Sequence, residues 1–298
     1  MPSNWNSPNP IIFGAGTSKN VGAELIKLGC KKALVVFDKG VKASGISENI
    51  IEYIRSAGLE AVTFGDVLAD PPDWSVESAA ALGVSSGADC VVGVGGGSSL
   101  DTAKGATLLI ANPPPLKQYY GREGVVTKQS VPLVVIPTTA GTGSEATPGG
   151  VITDTERGIK TNIAGIGCAV TLGIVDPELT LSLPPSVTAM TGMDALCHCI
   201  ESYTSARANP FSEIMGREGI RLVAKNLSAA VENGSDISYR GSMMLASTLG
   251  GIAMSGALCH LAHDIGRSLG AKFHVPHGLG CSVTLPQVLY AVAPTCPE

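Results

Sequence analysis

A chain of 298 residues that is 44% apolar, 15% charged and only 4% aromatic holds enough aliphatic material for two modest cores, and that balance excludes disorder. A formal charge of −5 with no block of Lys or Arg excludes a nucleic-acid-binding surface. No apolar run reaches the ~18 residues of a membrane span, and the polar start Met1-Pro2-Ser3-Asn4-Trp5 is not a signal peptide, so no membrane partner is expected. With eight scattered cysteines and no CxxC pair, the expectation is a cytoplasmic protein with reduced thiols.

In chain order, residues 11–13 make a short apolar strand and 19–29 a helix ending on glycine. Ala33-Leu34-Val35-Val36-Phe37 is a continuous apolar strand of the kind buried on both faces of a sheet, and it ends at Asp38-Lys39-Gly40. A helix at 46–57, a strand at 60–64 and a helix at 74–87 follow. This alternation predicts a parallel sheet with helices on both sides.

The next unit carries chemistry. Residues 90–94 are a strand, Gly95-Gly96-Gly97 a turn, and Ser98-Ser99-Leu100-Asp101-Thr102-Ala103-Lys104 opens a helix, with Ser98 and Asp101 spaced for an N-cap. Glycines let a phosphate approach the backbone, and the free N–H groups of a helix start hold its charge. A tight, well-capped turn has the same pattern, and the full GxGxxG is not present. A buried strand at 133–136 leads into Pro137-Thr138-Thr139-Ala140-Gly141-Thr142-Gly143-Ser144-Glu145, a hydroxyl- and glycine-rich loop at a strand's C-terminal edge. Ligands bind at that edge in open α/β sheets, so the two loops together suggest one anionic ligand such as a dinucleotide. Strands near 149–154 and 168–175 complete this part.

Beyond Pro184-Pro185 the pattern becomes helical, at 186–205, 210–231, 238–256 and 257–270, with the start of another helix at 287–293. The division expected is 1–184 as a dinucleotide-binding α/β domain and 185–298 as a helical, metal-binding domain. In the first of these helices Asp194 and His198 are four residues apart, hence one turn apart on one face. The pair is often a plain surface ion pair, but the rest of this helix is apolar and small, which turns the pair toward an interior that a cation would make tolerable. The four other histidines lie at 260, 263, 274 and 277, and spacing alone allows several pairs, as does Cys259 with His263.

These segments resemble the iron-dependent (group III) alcohol dehydrogenases. The likeness is carried by Gly95-Gly96-Gly97-Ser98 through Asp101, the 137–145 loop, Asp176-Pro177-Glu178, Gly192-Met193-Asp194-Ala195 through His198, and Pro276-His277-Gly278, all in the family's order. The resemblance implies a Rossmann-like α/β domain followed by an all-α domain, the dehydroquinate synthase-like fold. It also implies a divalent metal held by one Asp and three His, iron(II), with zinc(II) as the alternative. The family's last two ligands are fourteen positions apart, as His263 and His277 are here, so Asp194, His198, His263 and His277 inherit the metal, and His260 and His274 become wall or packing residues. NAD is implied as cofactor. Asp38 falls to its adenosine ribose, Gly96, Gly97 and Ser98 to its pyrophosphate, Thr138, Thr139 and Thr142 to the second loop, with Lys160, Leu179 and Asp101 as further contacts.

The implied activity is hydride transfer between NAD and a primary or secondary alcohol, or its aldehyde or ketone, in a homo-oligomer. The alternatives are a related hydroxy acid or polyol dehydrogenase and a truncated protein that binds NAD and metal without turnover. Tyr-x-x-x-Lys, needed by short-chain dehydrogenases, does not occur. Two departures from the family stand out: Arg267 occupies a position where many members carry a further histidine, and the family's helices run on beyond Leu285-Pro286. The expectation drawn from the second is an incomplete helical domain that self-associates.

Overall fold

The computed structural model describes residues 9–121 and 127–296. They form two units, one from Pro8–Thr138 and Ser144–Leu179, the other from Thr139–Gly143 and Thr180–Glu298.

The first unit runs β1 (Ile11–Phe13), α1 (Val21–Lys27), β2 (Lys32–Asp38), α2 (Lys39–Ala43), α3 (Ile46–Ser56), β3 (Glu60–Val67), α4 (Asp73–Ser86), β4 (Cys90–Gly95), α5 (Gly97–Ala111), β5 (Leu133–Pro137), β6 (Gly149–Asp154), β7 (Ile159–Ala164) and β8 (Leu172–Val175). Six strands pair in parallel in the order β1-β8-β5-β4-β2-β3, with Val35 opposite Val92 and Val92 opposite Val134. Side chains alternate along each strand. Leu34, Val36, Val91, Leu133 and Val135 therefore join one buried cluster, and Ala33, Val35, Val92, Val134 and Ile136 another. The parallel sheet and the α/β alternation are as the sequence predicts.

Four details differ from the sequence reading. The antiparallel partner β7 pairs with β6 in a separate ribbon, and the short helix α2 follows Asp38 directly because that side chain accepts from the Gly40 and Val41 N–H groups. Strand β8 is only four residues long, a 3-10 turn at Ile166–Cys168 replacing its expected start. The N-cap pairing expected of Ser98 and Asp101 does not form: α5 starts at Gly97, no side chain caps it, and Asp101 is drawn to other partners.

The helical unit contains α6 (Pro185–Thr204), α7 (Pro210–Glu232), α8 (Ile237–Ala257), α9 (Leu261–Phe273) and α10 (His277–Val292). Proline in the first turn starts α6, where a missing N–H costs nothing. Asn209 and Ser212 form a reciprocal capping box on α7, and Asp236 caps α8. The helix expected over 257–270 starts only at Leu261. Leu258 takes φ 62, a strained value for a branched side chain, and the chain turns through 105° between α8 and α9. Helix α10 begins ten residues before the expected one and carries Pro286 inside it. No single helix among the described residues is long and apolar enough to cross a membrane.

Thr139–Gly143 packs with these helices, not with the sheet that precedes it in the chain. Gly143 is why the approach is possible. At φ +58, a Cβ there would stand 2.6 Å from the Gly251 Cα, and the Gly143 N–H donates to Ser247 Oγ at 3.2 Å.

Candidate functional site

Helix α6 supplies Asp194 and His198, α9 supplies His263, and the first residue of α10 is His277. All but His277 are almost fully buried. Gly278 sets the position of His277: any Cβ on it would lie 2.4 Å from the Met190 carbonyl oxygen, so only glycine lets the first turn of α10 rest on α6.

The four side chains converge. His263 Nε2 and His277 Nε2 stand 3.8 and 3.7 Å from Asp194 Oδ1, and His198 Nδ1 stands 3.9 Å from Asp194 Oδ2. Ring centroids are 4.3 Å apart for His198 and His263, and 5.4 Å for His263 and His277. Asp194 Oδ1 and His263 Nε2 are buried without a hydrogen-bond partner, a costly arrangement that a cation between them would relieve.

Neighbouring groups fix which ring nitrogens face inward. His198 Nδ1 lies 3.2 Å from the Gly141 carbonyl oxygen, and His263 Nδ1 hydrogen-bonds Glu201 Oε2. The His263 Nδ1–H that donates to Glu201 leaves the Nε2 lone pair for a metal, whereas the His198 Nδ1 faces both Gly141 and Asp194 Oδ2. Burial, then the charge of His198, holds His263 well below the usual imidazole range, so it stands as the neutral, ligating form. Burial pushes the Asp194 carboxyl up, but the three histidines outweigh it and hold the group below its ordinary value.

Two thiols also come close. Cys281 Sγ is 3.8 Å from His277 Nε2 and clusters with Asp194, His263 and His277, while Cys259 clusters with His198 and His263. Burial pushes both thiols far above their ordinary value, so before any metal binds they are protonated and the carboxylate and imidazoles are the ready donors. One carboxylate and three imidazoles remain as donors, a set that suits Fe(II) or Zn(II).

The other two histidines stand apart from this centre. His274 is exposed and ends α9 in the left-handed conformation at φ 56. His260 places Nδ1 3.2 Å from Glu201 Oε1 and Nε2 2.8 Å from Thr204 Oγ1, so it adjoins Glu201 as more than packing. The sequence reading assigned no role to fully buried Glu201. Its signal was available, since residues 194, 198 and 201 fall on one face of a helix.

In the α/β unit, Asp38, Gly96, Gly97, Ser98 and Thr138 gather at the C-terminal edge of the parallel sheet. Asp38 Oδ1 accepts from the Gly40 and Val41 N–H groups, and Oδ2 from Ser99 Oγ at 2.8 Å. Gly95 forms a cradle there: at φ +145 a Cβ would lie 2.6 Å from Ser99 Oγ and 3.1 Å from Asp38 Oδ2. The Thr138 N–H donates to the Gly95 carbonyl at 3.0 Å, tying the second loop to the first. With no side chain capping α5, its first-turn N–H groups suit a pyrophosphate.

The remaining candidates are placed differently. Asp101 accepts from Ser144 Oγ and the Val151 N–H, both at 2.9 Å, so its carboxylate staples α5 to β6. Lys160, on β7, pairs with Asp70 at 2.6 Å. Leu179 packs half-buried against the sheet core, and Thr139 and Thr142 are half-buried in the loop of the helical unit.

Residues 8–177 match the iron-containing alcohol dehydrogenase model, and 188–298 match the model of the family's C-terminal part. The chain is 38% identical to the NAD-dependent methanol dehydrogenase of Bacillus methanolicus over 286 residues, 96% of this chain and 75% of that one. A crystal structure of 1,3-propanediol oxidoreductase superimposes with a TM-score of 0.94 at 37% identity, covering 98% of this chain and 76% of the other. Sulfoacetaldehyde reductase from Bifidobacterium kashiwanohense, solved in complex with NAD+, gives 0.91 at 30% identity over 98% and 77%. With both halves matched in order across nearly the whole sequence, the chain belongs to the iron-containing alcohol dehydrogenases and is a metal-dependent oxidoreductase of that kind.

Proposed function

We propose that Asp194, His198, His263 and His277 hold the divalent metal, iron(II) in the first instance and zinc(II) as the alternative, and that NAD is the hydride carrier. The observation that carries the metal assignment is the pair of orphaned buried atoms, Asp194 Oδ1 and His263 Nε2, with His277 Nε2 also directed at the carboxylate. NAD is supported by the Gly95 cradle, the uncapped start of α5 and the acidic Asp38 beside them. Its contacts are Asp38, Gly96, Gly97, Ser98, Asp101, Thr138, Thr139, Thr142, Lys160 and Leu179. Residues 1–184 take the dinucleotide and 185–298 the metal.

The substrate is a small primary or secondary alcohol, or the corresponding aldehyde or ketone. When bound, the metal supplies Lewis acidity to the substrate oxygen and the nicotinamide gives or takes the hydride. The protein's own part is orientation. Glu201 holds the Nδ1 of His263, so that ring presents Nε2 without rearranging, and the Gly141 carbonyl holds the His198 ring through its Nδ1. Asp38, locked by Gly40, Val41 and Ser99, offers the ribose a carboxylate of fixed direction. The enzyme is proposed to act as a homo-oligomer in the cytoplasm, where its eight free cysteines stay reduced.

Elemental analysis of purified variants tests the assignment. His263→Ala and His277→Ala are expected to lose metal and activity together while NAD binding survives. His274→Ala is expected to keep metal at the unmodified stoichiometry. A full metal content in His263→Ala would refute the ligand set.

A further inference from the structure

Helix α9 has no cap of its own. Its N-cap residue, His260, makes no side-chain bond to the first turn, yet two of the orphan N–H groups there are satisfied. The acceptor comes from another helix. Glu201 on α6 receives the Ala262 N–H on Oε1 at 2.7 Å and the His263 N–H on Oε2 at 3.3 Å. The same Oε2 bonds the Nδ1 of His263, and Oε1 lies 3.2 Å from the Nδ1 of His260. Three donors thus converge on one carboxylate that is fully buried, with the His260 ring alongside.

We infer that Glu201 is a positioning residue for the metal centre, which sets both the helix register and the ring tautomer that aim His263 Nε2 at Asp194. The inference rests on the ligand set proposed above. A carboxylate at a helix start is favoured by the helix dipole, so Glu201 anchors the first turn of α9 on α6. Burial raises the Glu201 pKa while the Ala262 and His263 N–H groups favour its charged form. As a carboxylate it only accepts, so the His263 Nδ1 carries the proton and the unprotonated Nε2 is left beside Asp194 Oδ1. This also explains why His263, and not His260, belongs to the centre. His260 lies just outside the helix, and its Nδ1 is taken up on the far oxygen of the same carboxylate.

Glutamine at this position keeps the shape but replaces one oxygen with an NH2 donor. On the Oε1 side that donor would face the Ala262 N–H at 2.7 Å; on the Oε2 side it meets the longer, weaker 3.3 Å contact. With its NH2 toward His263, away from the shorter Ala262 contact, the amide requires that Nδ1 to become an acceptor. The proton then moves to Nε2, the atom meant for the metal.

The test uses the full chain loaded with Zn(II), as unmodified protein, Glu201→Gln and His263→Ala. Chelator competition reads metal affinity, and 15N-edited NMR of the histidine rings, recorded on the same chains with the metal stripped, reads the tautomer, because Zn(II) on Nε2 would itself force the proton onto Nδ1. Glu201→Gln is expected to bind Zn(II) about 10–100-fold more weakly, the range for groups that hold a ligand in place. It should also lose the downfield Nδ1–H signal of His263 while its far-UV circular dichroism stays unchanged. Unmodified affinity and an intact Nδ1–H signal in Glu201→Gln, with metal lost in His263→Ala, would overturn the role of Glu201 alone. Metal retained in His263→Ala would overturn the ligand set instead. If Glu201→Gln fails to fold, His260→Ala, which leaves the Glu201–His263 bond intact, is expected to keep the Nδ1–H signal, and its loss there would equally overturn the inference.

Discussion

Replacing Lys104 with methionine should destabilise the α/β unit without touching the metal. The Lys104 side chain is fully buried on α5, and its three ammonium N–H groups are shared among the Ser144 carbonyl (2.7 Å), Ser144 Oγ (2.8 Å), Thr147 Oγ1 (2.8 Å) and the Gly149 carbonyl (2.7 Å), with Asp101 Oδ1 at 3.9 Å. Methionine fills the stem but donates nothing. The Ser144 carbonyl keeps the Thr147 N–H at 3.3 Å and the Thr147 hydroxyl lies 3.2 Å from both carbonyls, so the cost is that of the ammonium's lost hydrogen bonds, about 1–3 kcal/mol. Asp101 also loses its neighbouring cation, and breaking a buried charged pair costs about 3–5 kcal/mol. Burial pulls the lysine's pKa below its ordinary value, so relief of desolvation offsets part of this. The low end, about 3 kcal/mol, is the expected net cost. At about 2–4 °C per kcal/mol, calorimetry on the full chain should show the transition of this unit ~6–12 °C lower. Zinc stoichiometry should be unchanged, because the metal donors lie in the other unit. A shift below about 2 °C would refute the reasoning.

Asp38→Gly should relax the preference for NAD over NADP, since a carboxylate beside the ribose repels a 2′-phosphate; equal kcat/KM for the two cofactors in the unmodified enzyme would contradict this. Ser99→Ala removes the bond that holds Asp38 Oδ2 and should raise the KM for NAD without changing metal content, as steady-state kinetics would show. Arg267, half-buried one turn beyond His263, adds positive charge to the centre, so carboxylated or sulfonated alcohols should be preferred. Arg267→Ala should then raise KM for the anion by about tenfold and leave neutral alcohols unaffected, and equal turnover of both classes would sink the idea. At Asp73, burial raises the carboxyl pKa, but bonds from Thr155, Tyr120 and the Trp74 N–H outweigh it and hold the pKa below its ordinary value. Its contribution is therefore present above the unfolded pKa near ~4 and is lost as pH falls through the folded value. Melts of the unmodified protein and Asp73→Asn should differ most near neutrality and converge in acid.

Buried parallel strands are legible because their apolar runs are continuous, and residues 33–37, 90–94 and 133–136 fall within β2, β4 and β5. The Asp194/His198 pair is legible from helical spacing alone. Its partners on α9 and α10 are not, because four clustered histidines allow several pairings, and only the family spacing singled out His263 and His277. What periodicity misses is what long-range contacts decide. Helix α10 starts at His277 because Gly278 lets it lie on α6, and α9 starts late because its cap is supplied by Glu201 from sixty residues earlier. Asp101 has the spacing of a local cap, yet its carboxylate is claimed by Ser144 and Val151, which no short window of sequence includes.

The packing of Thr139–Gly143 with the helices bears on how such an enzyme is recombined. A chimera that joins the sheet of one relative to the helices of another at 180 would set His198 against the first relative's backbone at 141, and Gly251 against whatever side chain that relative carries at 143. The heritable block is thus discontinuous. Exchange has to carry a five-residue insert along with the helices, and crossovers that respect only chain order should yield folded halves with a misaligned metal pocket.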